Sequence, residues 1–155
     1  RDVAPSRGLG DVYKRQRLRG VWSNPWGFKS PHRHFLTVIY MDKKELIKRC
    51  LIFEDALETY PFKDKTYEEY AVLRHKSNGK WFGLVFYLND ILCINLKCNP
   101  LDSAVLRDEY SFITPGWHMN KAHWIKVDVN KCPEDLLDAL IEASFNLTLT
   151  KRKTK

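Results

Sequence analysis

The sequence lacks an apolar stretch long enough to cross a membrane: its longest run, 35–41, is far shorter than the roughly 18 residues that a membrane span requires. It also lacks the charged start, apolar stretch and small-residue cleavage site of a secretory signal. We therefore expect a cytoplasmic protein with no membrane contact. At 155 residues and 44% hydrophobic content, the chain predicts one globular domain with one core.

Paired cysteines and metal-ligand spacings are missing as well. The four cysteines, Cys50, Cys93, Cys98 and Cys132, contain no C-x-x-C pair, and no histidine completes a zinc spacing. Cys93 and Cys98 are five residues apart on one predicted strand, so their side chains would point to opposite faces. The sequence therefore predicts reduced, unliganded thiols, no metal site and no cofactor.

No catalytic signature is present. There is no glycine-rich loop that could cradle a phosphate, and Ser77-Asn-Gly79 is explained by a hairpin turn. The acidic pairs are adjacent in sequence, as on a solvated surface. A Cys98 nucleophile with His118 or His123 as its base lacks any supporting pattern. We therefore expect a protein that is not an enzyme.

The positive charge of the chain is distributed unevenly. Residues 1–40 contain eight basic and two acidic residues, a net charge of +6, whereas residues 41–150 contain 14 basic and 17 acidic residues, a net charge of −3. Residues 151–155 form a basic tail. The predicted folded body is therefore slightly acidic, and the overall charge of +7 does not by itself indicate nucleic-acid binding.

The N-terminal 40 residues are predicted to lie outside the domain. Residues 11–16 resemble a translated sequencing adaptor, and 17–40 show neither helical nor strand periodicity. Met41 resembles a start, because Asp42 followed by Glu45 forms a capping-box pattern. We interpret 1–40 as a non-native or disordered leader, 41–150 as the domain and 151–155 as a solvated tail. The alternative for the leader is a native basic arm that binds nucleic acid.

The remaining pattern predicts the order α-β-β-β-α-β-β-α. Apolar residues at helical spacing predict helices at 43–53 and from Pro133 onward, and Asn99-Pro100 supplies the cap and first residue of another. Aromatic and β-branched runs predict three strands at 70–75, 81–87 and 91–97, and two more at 111–114 and 123–129. Together these elements predict an α+β two-layer sandwich, an antiparallel sheet with helices on one face.

Several segments of the second half of the chain form a distinctive set: Asn95-Leu-Lys-Cys-Asn-Pro100, Leu106-Arg107, Tyr110, Pro115-Gly-Trp-His-Met-Asn-Lys121 and His123-Trp124. They resemble the MmcQ/YjbR family, and the match covers nearly all of 41–155. The resemblance implies the YjbR-like fold and a double-wing mode of DNA binding. Asn99 stands where the family usually has Asp, which caps a helix equally well, and Trp117 stands where it usually has Tyr, so a phenolic hydroxyl is missing.

The segment after Pro115-Gly116 predicts a polar, aromatic and cationic surface loop. Its side chains offer hydrogen bonds and stacking to a nucleic acid, and nearby lysines and an arginine offer phosphate contacts. In the alternative interpretation, the histidines satisfy buried backbone groups, the asparagine only shapes the turn and Trp124 belongs to the core. The candidate DNA-binding residues are Lys97, Arg107, Trp117, His118, Asn120, Lys121, His123 and Lys126.

Three functional hypotheses follow from these residues. The first is a DNA-binding protein that makes mainly phosphate contacts from loops at one edge of the sheet. The second is a protein–protein interaction module that presents aromatic anchors without binding nucleic acid. The third is a small-ligand pocket lined by His118, Asn120 and His123.

Overall fold

The computed structural model describes residues 40–149, so the predictions for the leader and the basic tail lie outside the described residues. Three helices and six strands make up this part of the chain, with four strands after the first helix and two after the second. In chain order they are α1 (Lys43–Cys50), β1 (Ala56–Thr59), β2 (Ala71–His75), β3 (Trp81–Leu88), β4 (Ile91–Lys97), α2 (Pro100–Glu109), β5 (Ile113–Pro115), β6 (Trp124–Asp128) and α3 (Glu134–Thr148), with a short 3-10 turn at Val129–Lys131 before α3.

The six strands form one antiparallel sheet in the order β1-β2-β3-β4-β6-β5, and this confirms the predicted α+β fold. The structure adds one strand, β1, which the sequence analysis missed. Its sequence, Ala-Leu-Glu-Thr, has little β-branched or aromatic content. It becomes a strand because it pairs with β2 at the sheet edge, with Ala56 opposite His75.

The residues that were predicted to cap the first two helices do so. Asp42 caps α1, and its Oδ1 accepts a hydrogen bond of 2.8 Å from the backbone N–H of Glu45. Asn99 caps α2 in the same way, accepting from Leu101 N–H at 3.0 Å, and Pro100 occupies the first helical turn. Each cap satisfies a backbone donor that the helix itself leaves unpaired.

The two tight hairpins differ in their turn chemistry. Between β3 and β4, Asn89 and Asp90 both have positive φ, 49° and 63°, as a two-residue turn that follows the strand twist requires. In the β2–β3 turn only Gly79 has positive φ, 69°. The amide of Asn78 instead donates to the carbonyl of Thr148, at 3.0 Å, and so ties this turn to the end of α3.

The main core lies between the sheet and the helices. All three helices contribute to it: Leu46 comes from α1, Leu106 from α2 and Leu137 from α3, and all are buried against Ile94 of β4 and its neighbours. Helices therefore cover one face of the sheet, as predicted. None of the helices within 40–149 is both long enough and apolar enough to cross a membrane.

The opposite face of the sheet carries a second, smaller apolar cluster. Val72, Leu84, Phe86 and Cys93 form its buried part. It is covered by aromatic side chains from two loops, 60–70 and 116–123, instead of by a helix. The buried part of this cluster lies on β2, β3 and β4. On the same face, β5 and β6 carry Thr114, Lys126 and Asp128 next to the buried Trp124, so the candidate site lies where the apolar cluster meets polar side chains.

Candidate functional site

The loop 116–123, between β5 and β6, holds most of the predicted site residues. It begins at Gly116, whose N–H donates to the carbonyl of Trp124 at 2.9 Å. A Cβ on Gly116 would lie 2.7 Å from the Cβ of Trp124, so only glycine fits this close approach. The loop therefore leaves the sheet in one defined direction.

Asn95 holds the next residue of the loop in place. Its side chain is fully buried on β4, where the amide donates to the carbonyl of Trp117 at 2.7 Å and the side-chain oxygen accepts from Trp117 N–H at 3.1 Å. The two bonds satisfy both polar groups of Asn95 and both backbone groups of Trp117. Asn95 therefore fixes the loop across the second face of the sheet.

Asn120 shapes the far end of the same loop. Its side-chain oxygen accepts from Ala122 N–H at 2.9 Å, and its carbonyl accepts from the N–H groups of His123 and Trp124 at 3.1 and 2.9 Å. Its side-chain oxygen is thus already engaged in the turn, which was the alternative interpretation of this residue. Asn120 therefore organises the loop through its side-chain oxygen and its carbonyl.

The two tryptophans of this region are engaged within the protein. Trp117 is half-buried and packs on the second apolar cluster, and Trp124 is only 7% exposed. The prediction that Trp124 is a core residue is confirmed. Trp117 packs one side of its indole ring on the second apolar cluster and contacts His118 edge-on, so less of its ring is open to a base than an exposed tryptophan would offer.

The histidines of the loop are both exposed. His118 has a positive φ of 55°, which is rare for a residue with a side chain, and its ring contacts that of Trp117 edge-on at a centroid distance of 4.5 Å. The carbonyl of His123 accepts from Cys98 N–H at 2.8 Å, so His123 joins the loop to the end of β4 through its backbone. Neither imidazole is buried against backbone groups.

Two of the predicted cations lie on the second face of the sheet, and a third lies on the loop between β5 and β6. Lys97 and Lys126 are half-buried there, in register with Trp124 and Asn95 respectively, and Lys121 is exposed on the loop. The Nζ of Lys97 lies 5.3 Å from the centre of the Trp124 ring, a cation–π contact that orients its side chain. These lysines form what we term the lysine edge: Lys97, Lys121 and Lys126.

Arg107 does not belong to this group. It lies on α2, in the helical layer, and its guanidinium Nε donates to the carbonyl of Ser103 at 3.2 Å. Lys97 and Lys126 occupy the opposite face of the sheet, so the structure does not place this candidate phosphate contact beside them. Helical periodicity placed Arg107 on α2 but could not show which face of the sheet that helix covers.

The charges of the domain are segregated. Residues 91–98 and 110–131 contain four lysines, at 97, 121, 126 and 131, and one acid, Asp128. By contrast, α2 and α3 together contain seven acids and only Arg107 as a base, whereas α1 is basic, with four basic residues and one acid. The domain is acidic as a whole, yet the β4–β6–β5 end of the sheet is locally cationic.

Sequence reasoning missed the part of this surface formed by the loop 60–70 and β2. Tyr67 lies 6.2 Å from His118 between ring centroids, and Arg74 lies over the ring of Trp81 at 5.8 Å. The alternating pattern of β2 could have indicated that Arg74 faces away from the helices. No local signal could have placed Tyr67, because it reaches the site through the packing of Phe62 and Tyr70 on the sheet.

The cysteines are buried thiols. Burial raises the pKa of Cys93 to about 11, with Lys126 acting in the opposite direction, and it raises the pKa values of Cys50 and Cys132 still further. Cys98 is also buried, 8% exposed. Within residues 40–149 no three His, Cys, Asp or Glu side chains are grouped so that they could hold a metal ion.

The fold and this surface define an α+β protein with one antiparallel sheet in its described part. Helices cover one face of this sheet, and the other face carries the lysine edge beside the loop 116–123. The family model described as YjbR matches residues 51–147. The chain belongs to the YjbR family.

Individual proteins of known sequence or structure are also similar to this chain. YyaQ of Bacillus subtilis is 41% identical over 100 residues, which span 57% of this chain and 82% of YyaQ, and YbdF of Escherichia coli is 43% identical over 84 residues, 52% of this chain and 69% of YbdF. The crystal structure of a Pseudomonas syringae protein is 32% identical and superposes with a TM-score of 0.62, covering 70% of this chain and all of that protein. A Deinococcus radiodurans protein is also 32% identical, with a TM-score of 0.61, over 72% of this chain and 81% of its own.

Proposed function

We propose that the protein binds DNA, without catalysing a reaction, mainly through phosphate contacts made by the lysine edge. The observation that supports this most directly is the segregation of charge: a slightly acidic domain carries a local excess of lysines on one sheet edge. A phosphate backbone would meet Lys97, Lys121 and Lys126 there, while the two acidic helices, α2 and α3, lie on the other face of the sheet.

The setting of the lysines favours this role. Lys97 and Lys126 are half-buried, so their alkyl stems lie along the sheet and less side-chain freedom remains to be lost on binding. Each neutralised phosphate also releases condensed counterions, which supplies most of the free energy of sequence-independent binding. Three contacts of this kind predict binding that is strongly weakened by salt.

A non-enzymatic role agrees with the chemistry of the thiols. A cysteine acts as a nucleophile in its thiolate form, and burial raises the pKa values of Cys50, Cys93 and Cys132. Four free cysteines also fit a reducing compartment. We therefore include the cytoplasm in the proposal.

Titration of the full chain with a short DNA duplex at several salt concentrations tests the proposal. A variant with Lys97→Gln, Lys121→Gln and Lys126→Gln is compared with a charge-matched control, Lys44→Gln, Lys48→Gln and Lys80→Gln. All three control lysines are exposed and lie outside the lysine edge. The terminal segments are the same in both variants, so their basic residues cancel in the comparison.

The edge variant should lose affinity, and its slope of log affinity against log salt should become shallower by about 2.7, the value for three phosphate contacts. The control variant should keep the slope of the parent protein. Equal slopes in the two variants, or no binding by the parent protein at low salt, would contradict the proposal.

A protein partner is the second candidate, and a different surface favours it. Ile52 is 76% exposed beside a groove of about 350 Å³ between α1 and α3, which is also lined by Arg49, Phe53, Asp138 and Glu142. Ile52→Asp should abolish in-cell cross-linking to such a partner and leave DNA affinity unchanged. The variant with Lys97→Gln, Lys121→Gln and Lys126→Gln should keep the cross-linking and lose DNA affinity.

A further inference from the structure

Two aromatic rings from different loops form a corner at the border of the lysine edge. Tyr67, from the loop 60–70, and His118, from the loop 116–123, lie with their ring centroids 6.2 Å apart and their planes at 77°. His118 is exposed and Tyr67 half-buried. We call this pair the Tyr67–His118 corner. A flat ring that stacks on one of its members would place its own edge against the other.

Contacts with the sheet restrict the positions of both members of the corner. Tyr67 contacts Tyr70 edge-on at 5.2 Å, and Tyr70 in turn stacks on Phe86 of β3 at 5.2 Å. On the other side, His118 follows Trp117, whose backbone is bound by the buried Asn95. The rings are therefore ordered before any ligand arrives, which reduces the entropy lost on binding.

The backbone of His118 supports a functional role for this corner. Its φ of 55° disfavours any residue with a Cβ, and glycine or asparagine would relieve the strain. The loop keeps a histidine at this position and presents its imidazole to solvent. Strained residues of this kind concentrate at binding sites, where the strain positions a side chain.

The two loops that form the corner differ in charge. The loop 60–70 carries Lys63 and Lys65 against Asp64, Glu68 and Glu69, a net charge of −1, and the two glutamates follow Tyr67 directly, so a phosphate is not favoured on this side. Lys121 lies three residues after His118, on the same loop, and the other two members of the lysine edge lie on the neighbouring strands. A ligand that fits must therefore offer an uncharged flat ring on one side and a phosphate next to it on the other.

We propose that the Tyr67–His118 corner stacks an unpaired base of single-stranded DNA while the adjacent phosphates contact the lysine edge. This inference rests on the proposed function and makes it more specific. A paired base in a duplex has both faces covered by its neighbours and cannot enter the corner. The protein should therefore prefer single-stranded to double-stranded DNA.

Two probes separate stacking from phosphate contact. One is an oligothymidine, which has bases and no stable pairing, and the other is an abasic oligomer of the same length, which keeps the sugar–phosphate backbone and lacks the bases. The variants are His118→Gly, which removes the ring and suits the positive φ, and Tyr67→Leu, which keeps an apolar contact with Phe62. Tyr87→Leu is the control, because Tyr87 is 43% exposed and alternates with Phe86 onto the helical side of the sheet.

The full chain should bind oligothymidine about 5- to 160-fold more tightly than the abasic oligomer, the range that one stacked base supplies. His118→Gly and Tyr67→Leu should reduce this ratio without changing affinity for the abasic oligomer, and Tyr87→Leu should leave both unchanged. Equal binding of the two oligomers by the parent protein would overturn the stacking and leave phosphate binding standing. No binding of either oligomer would overturn the proposed function together with it.

Discussion

The Nδ1 atom of His75 lies 3.1 Å from Oδ2 of Asp55, and this pair connects the sheet to the last helix. The imidazole is 1% exposed, and its Nε2 lies 2.7 Å from the hydroxyl of Thr148 near the end of α3. Ser77 completes the arrangement by donating to Asp55 from its hydroxyl at 2.6 Å and from its N–H at 2.9 Å. These side chains join the β2–β3 turn to α3 through the interior.

Asp55 should make the stability of the domain depend on pH in the acid range. Hydrogen bonds from the Ser77 hydroxyl and N–H, together with His75, lower the pKa of Asp55. A carboxyl whose pKa is depressed by folding stabilises the fold above its unfolded pKa of about 3.9, and this contribution is lost as the pH falls through the lower folded pKa. Asp55→Asn should therefore destabilise the protein at pH 7 and 5, and the difference from the parent should shrink below about pH 4.

Urea unfolding at these pH values measures this effect. Asp90→Asn is the control, because Asp90 lies in a tight turn whose positive φ asparagine tolerates well. A destabilisation by Asp55→Asn that stays constant from pH 7 to pH 3 would contradict the assignment.

Ser144 should contribute more to stability than its small size indicates. Its hydroxyl, fully buried on α3, accepts from the N–H of Lys97 at 2.8 Å and donates to the carbonyl of Phe82, so it bridges two strands. Ser144→Ala leaves both backbone groups without this partner and should lower the free energy of unfolding by about 1–3 kcal/mol. Asn146→Ala, at an exposed position of the same helix, should change it by less than about 0.5 kcal/mol in chemical denaturation.

Asn95 should control the order of the candidate site. Asn95→Ala removes both hydrogen bonds to the Trp117 backbone and should cost about 1–3 kcal/mol. Its more specific effect should be faster amide hydrogen exchange at Trp117 and His118, with little change at core amides such as Ile94 once the global loss of stability is subtracted. Unchanged exchange at Trp117 would show that the loop is held by other contacts.

Two glycines should respond differently to the same substitutions. At Gly116, any Cβ meets Trp124 at 2.7 Å, so Gly116→Ala and Gly116→Asn should both destabilise, by about 1–3 kcal/mol. At Gly79 nothing lies within 4 Å of the added Cβ, and only the φ of 69° opposes it. Gly79→Ala should therefore cost about 1 kcal/mol and Gly79→Asn less, because asparagine tolerates this conformation. Equal tolerance of asparagine at both sites in thermal unfolding would refute the steric argument.

The elements with strong local signals were predicted from sequence almost to the residue. Asn99-Pro100 begins α2 as expected, and Ile91–Lys97 is the strand that its aliphatic content indicated. In the candidate site, the exposure of His118 and Lys121 followed from their place after Pro115-Gly116. The strand β1 was missed because its identity depends on a partner strand twelve or more residues away in sequence.

The sequence by itself determined the element order, the capping of the helices and the family, since these depend on residue type and spacing along the chain. Only the tertiary structure decided that Arg107 and the lysine edge lie on opposite faces of the sheet, that Trp117 is packed on apolar side chains, and that Tyr67 meets His118. The physical reason is that periodicity fixes which residues share a face of one element, whereas the contact of two faces depends on how all the elements bury their apolar surface together.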